Sequence, residues 1–106
     1  MQIELNELTG NGRVRSLSGQ ERGVAARQHF ELDRADDTNE QVVIHARDLD
    51  AVTASFLQGM FSKSIRKLAT RDAFLNRFKF DAPPEILRQV DRAIVNTLVD
   101  RHQLGA

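Results

Sequence analysis

Residues 41–68 constrain this chain most, because they join two different hydrophobic periods. Gln41-Val42-Val43-Ile44-His45-Ala46 is a short β-branched run between polar flanks, the pattern of a strand buried on both faces and central in its sheet. Leu49, Val52, Phe56, Leu57, Met60, Phe61, Ile65 and Leu68 follow. From Phe56 onward their spacing of three or four draws one apolar stripe along a helix. A buried strand feeding an amphipathic helix is the repeating unit of a parallel sheet with helices packed on it.

The flanking sequence extends the unit in both directions. Ile3 and Leu5 alternate with Gln2, Glu4 and Asn6 as in a half-buried strand, and Thr9-Gly10-Asn11-Gly12 supplies a turn. Residues 13–17 read as a second short strand or an extended lead. Ser18-Gly19-Gln20-Glu21 matches a capping box, which predicts a helix to about Leu32 with Val24, Ala25 or Ala26, and Phe30 facing inward. Residues 33–40 then form a polar loop. Phe74, Asn76, Phe78 and Phe80 alternate with Leu75, Arg77 and Lys79, which predicts another strand. Pro83 and Pro84 open a last helix, with Leu87, Val90, Ile94 and Leu98 as its buried stripe, ending near His102 with Gly105 just beyond. The expected fold is α/β: a mostly parallel sheet of about four strands with three or four helices.

Length and composition narrow the classes. A chain of 106 residues, 41% apolar and 28% charged, supports one core and one domain over residues 1–106. No apolar run approaches the roughly 20 residues that span a bilayer. Met1 to Leu8 carries two acids and no basic residue, unlike a secretory signal, so a cytoplasmic protein is expected. With no Cys, disulfides, thiolate metal sites and cysteine nucleophiles are excluded. The net charge is zero, which argues against a broad nucleic-acid-binding field. The halves nevertheless differ: −4 over residues 1–50 and +4 over residues 51–106. Lys63, Arg66, Lys67, Arg71, Arg77 and Lys79 face only Asp72 in residues 63–79. They are either solvated faces or a surface for an acidic partner, a phosphate, a nucleotide or a nucleic acid.

The junction after the central strand is the candidate site. Ligands and partners of open α/β sheets meet the loops beyond the carboxyl ends of the strands, where helix N-termini expose amide hydrogens. Ser55 stands at such an end, with Asp48, Asp50, Thr53 and Gln58 around it. A phosphate on Ser55 would place up to about two negative charges against the positive pole of the helix. Equally, Ser55 through Gln58 reads as a second capping box, with Thr53 as an alternative cap.

The segment from Val42 to Phe61, with its Leu49-Asp50-Ala51-Val52 turn and Thr53-Ala54-Ser55-Phe56-Leu57 opening, resembles the STAS-like domain family of unknown function. That family is similar to the STAS domains of bacterial anti-sigma factor antagonists. The resemblance implies a STAS-like sandwich and a protein-contacting face, with an anti-sigma factor or a histidine-kinase-like ATPase as partner. In the antagonists Asp-Ser-Ser-Gly opens the helix and the second serine is phosphorylated. Those four positions fall on Thr53, Ala54, Ser55 and Phe56, so only the phosphoacceptor serine is kept.

Other residues carry less. His29, His45 and His102 have no metal-ligand spacing, and Asp33, Asp36, Asp37 and Glu40 lack the glycine and closing glutamate of a calcium loop. There is no glycine-rich phosphate loop, nucleophile elbow or catalytic triad pattern, so neither cofactor nor catalysis is expected. Gly59 costs about 1 kcal/mol within a helix, which points to a close approach by the sheet, the last helix or a partner helix. Phe56, Met60 and Phe61 cover more than one side of their helix, an arrangement that leaves one aromatic for an interaction surface. The expected function is that of a non-catalytic regulatory or protein-interaction module. The alternative is nucleotide or nucleic-acid binding through residues 63–79.

Overall fold

A computed structural model describes residues 1–10 and 14–105, with side chains up to Val99. Five strands and five helices follow in the order β1 (Gln2–Glu4), a 3-10 turn (Leu5–Thr9), β2 (Ser16–Leu17), α1 (Gln20–His29), α2 (Leu32–Asp36), β3 (Val42–His45), β4 (Ala51–Val52), α3 (Ala54–Leu68), α4 (Arg71–Arg77), β5 (Phe78–Asp81) and α5 (Pro84–Gly105). All pairings are parallel: β1-β3-β5 form one sheet and β2-β4 a second. The fold is the α/β fold that the alternating periods require, with β3 central.

The register divides the larger sheet into two unlike faces. Ile3, Val42, Ile44 and Phe78 point into the core, whereas Gln2, Glu4, Val43, His45, Lys79 and Asp81 share the other face. Strand β3 is therefore sealed on one face and only half-buried on the other, not buried on both. The helices cover the apolar face. Phe61 of α3 lies edge-on to Phe74, Phe78 and Phe80, and Phe74 stacks on Phe78 with centroids 4.9 Å apart.

Helix α3 runs where its stripe predicts. Thr53 caps it, its hydroxyl oxygen accepting from the Phe56 amide at 3.2 Å. Ala69, at φ 71°, ends it in the left-handed region, and Thr70 caps α4 by accepting from the Ala73 amide. The strand expected from Phe74 thus starts four residues later. Phe74 and Phe78 lie four apart and share a helical face, while Phe78 and Phe80 share a strand face, so the same spacing serves both elements.

Several other expectations are corrected. β1 ends at Glu4, and Leu5 is buried at the start of the 3-10 turn. The capping box at Ser18 does not form: Gly19 is the N-cap of α1 and no side chain accepts there. Helix α1 stops at His29 and Glu31 turns left-handed at φ 54°, after which Leu32–Asp36 makes a separate helix in place of a polar loop. Val24 and Leu87 are exposed; Ala26 and Ile86 are buried near them instead. Helix α5 continues through Gly105. Of the expected Thr9–Gly12 turn, Asn11 and Gly12 lie outside the described residues, as does Arg13.

The close approach at Gly59 comes from α1. A Cβ on Gly59 would sit 2.1 Å from the Gln20 carbonyl oxygen, and one on Gly23 would sit 2.0 Å from that of Phe56. Two glycines therefore let the α1 and α3 backbones touch. Phe56, Met60 and Phe61 are all buried beneath this crossing and the sheet, so no aromatic is left exposed on α3.

Candidate functional site

Strand β4 carries the chain from β3 to the start of α3, and its partner β2 holds it in place. The Thr53 amide donates to the Leu17 carbonyl at 2.9 Å, and the Asp50 amide to that of Arg15 at 2.7 Å. The Arg15 guanidinium also donates to the Asp48 carbonyl at 3.3 Å and lies 3.5 Å from the Asp50 carboxylate. Asp48 and Asp50 are exposed, and this fixed loop sets them beside the first turn of α3.

Ser55 is the second residue of that turn and is exposed. Its hydroxyl lies 3.1 Å from the Thr53 hydroxyl. Because Thr53 is the cap, the Ser55 oxygen is not committed to closing the helix. Gln58, one turn on, turns toward α5, where its side-chain carbonyl accepts from Asn96 at 3.2 Å. The geometry therefore joins Thr53 to Ser55 through their hydroxyls, sets Asp50 and Thr53 on one pocket wall, ties Asp48 and Asp50 to Arg15, and engages Gln58 with α5. The pocket, of about 180 Å³, opens between Asp50, Thr53, Glu85 and Gln89. Its ionisable walls, Asp50 and Glu85, are both carboxylates.

The basic segment is spread over α3, α4 and β5. Lys63, Arg66, Lys67 and Arg71 are exposed, but Lys67 donates to the Asp36 carbonyl at 2.6 Å and lies 3.7 Å from the Asp37 carboxylate. Arg71 pairs with Asp91 at 2.8 Å. Arg77 donates to the carbonyls of Ala35 and Glu40, and Lys79 stands on the open sheet face.

On that open face His45 bridges two strands, with Nδ1 3.1 Å from Asp81 and Nε2 2.5 Å from the Gln2 side chain. The His45 hydrogen bond and the Arg47 pair hold the Asp81 carboxyl below its usual range. Among the described residues no three His, Asp or Glu side chains gather as a metal site requires, and no helix is long and apolar enough to cross a membrane.

Sequence reasoning missed one buried polar assembly. Arg27 reaches from α1 between α2 and α3, donating to Asp36, to the Ser64 hydroxyl at 3.0 Å, to the Met60 carbonyl at 3.0 Å and to Asp33 at 2.8 Å. Ser64 in turn donates to the Asp36 carboxylate at 2.8 Å. The hydrogen bond from Arg27 is the main cause holding the Asp33 carboxyl below its usual range. In the sequence Arg27 and Asp36 look like ordinary surface charges, and only the packing of α1, α2 and α3 buries them.

No family model, no curated protein and no solved structure matches this chain.

Proposed function

We propose that the chain is a non-catalytic protein-interaction module whose contact surface is the loop of Asp48 and Asp50 with the first turn of α3. Ser55 is the phosphoacceptor within that surface. One observation carries this reading: Ser55 is exposed in the first turn of a 15-residue helix whose cap is a different residue. A phosphate on Ser55 meets the positive pole of α3 and changes the charge of the contact surface by up to about two units. The STAS-like resemblance makes a histidine-kinase-like ATPase the partner to try first.

The test is incubation with such an ATPase and Mg-ATP, followed by mapping of phosphate by tandem mass spectrometry. The expected product carries phosphate on Ser55, and the Ser55→Ala variant carries none. Phosphate only at other positions, from a kinase active on its own substrate, would remove Ser55 from the mechanism.

A further inference from the structure

We propose that a second copy of this chain docks on the free edge of β5, joining the two three-stranded sheets about a two-fold axis at Phe80. In a parallel ladder the N–H and C=O of one residue face one neighbour and those of the next residue face the other side. The Asp81 carbonyl accepts from the Ala46 amide at 2.8 Å, so Asp81, and by alternation Lys79, turn their backbone groups toward β3. Phe80 therefore turns its N–H and C=O outward, away from β3. So does the Phe78 carbonyl, while the Phe78 amide is used by the Phe74 carbonyl at the end of α4.

An antiparallel copy centred on Phe80 satisfies these groups. Phe80 and its equivalent exchange both backbone hydrogen bonds, and each Ala82 amide donates to the other copy's Phe78 carbonyl. The side chains then decide whether this register is favoured. Lys79 and Asp81 flank Phe80 on the open face, so the two-fold sets each Lys79 opposite the other copy's Asp81. A lysine alone on an edge strand discourages pairing; a lysine and an aspartate placed symmetrically about the centre favour self-pairing. Strand β1, the other edge, has no such symmetry, since a two-fold at Ile3 opposes Gln2 to Glu4.

The apolar side agrees. A groove of about 320 Å³ follows the β5 edge, walled by Leu75, Phe80, Leu87 and Val90 and also by the paired Arg71 and Asp91. The axis stands perpendicular to the sheet and brings both helix layers to the same side, so this groove and the exposed Leu87 face their own equivalents.

Sedimentation equilibrium at low salt, with amide hydrogen exchange of Phe80, tests the proposal. Wild-type protein is expected to dimerise reversibly, and its Phe80 amide to exchange more slowly as concentration rises. Lys79→Glu, at an exposed position, opposes two acids twice per dimer and is expected to weaken association about tenfold. Asp81→Lys weakens it likewise, and an equimolar mixture of the two variants restores it. The proposal is overturned by a wild type that stays monomeric at about 1 mM, which leaves the edge to another protein or to none. A dimer constant unchanged by Lys79→Glu also overturns it, whatever the fate of Asp81→Lys. So does a dimer whose Phe80 exchange does not depend on concentration.

Discussion

Replacing Asp36 by alanine is the sharpest probe of how the helical layer is held. Arg27 is 5% exposed, Asp36 8% and Ser64 0%, so the guanidinium and its carboxylate have both left water. Removing the carboxylate leaves the buried guanidinium with a carbonyl, a hydroxyl and the exposed Asp33 carboxylate as its partners. Breaking one half of a buried pair costs about 3–5 kcal/mol, a large part of the roughly 5–15 kcal/mol that stabilises a domain of this size. Urea unfolding followed by circular dichroism should show the unfolding free energy falling by that amount, through a lower midpoint with little change in slope. The triple replacement Arg27→Met, Asp36→Leu and Ser64→Ala removes the three buried side chains of the network and should recover most of the loss, because apolar packing matches a buried ion pair in free energy. A loss below about 1 kcal/mol for Asp36→Ala would refute the reasoning, since a loss that small is what an exposed pair gives.

Three further outcomes are expected. Gly59→Ala should destabilise by about 1–3 kcal/mol despite alanine's better helix propensity, because its methyl meets a backbone carbonyl that cannot move aside alone; a raised melting temperature would contradict this. Thr53→Ala should lose about 1 kcal/mol as the cap of α3 disappears, whereas Ser55→Ala should stay within about 0.5 kcal/mol, so equal losses would reassign the cap. The Asp81 carboxyl titrates below its ordinary 3.8 in the folded chain. The stability it adds is present above that value and is lost as pH falls through the lower folded one, so Asp81→Asn should flatten the acid limb of stability against pH, and an unchanged limb would contradict the assignment.

The sheet and α3 were legible because each holds a single hydrophobic period over enough residues to bury a face. Val42 and Ile44 mark β3, and the stripe from Phe56 to Ile65 marks α3. What stayed hidden depends on partners distant in sequence. Leu32–Asp36 reads as a charged loop until Arg27 arrives to neutralise Asp36. Gly59 announces a close approach but not the identity of the neighbour, because Gly23 lies 36 positions earlier on another helix. Phe74 reads as part of a strand because four-residue and two-residue spacings coincide across Phe74, Phe78 and Phe80. The candidate site was legible in its location, as a hydroxyl at the end of a strand-to-helix junction. The division of labour was not: Thr53 and Ser55 both precede apolar residues by the right interval, and only the backbone path through β4 makes Thr53 the cap.

The most direct measurement is a titration of the isotope-labelled chain with a histidine-kinase-like ATPase, following every backbone amide by NMR. The expected shifts centre on Asp48, Asp50, Thr53, Ser55 and Gln58, with the β5 edge and the open sheet face unaffected. Shifts confined to those other surfaces, or none at saturating partner, would contradict it.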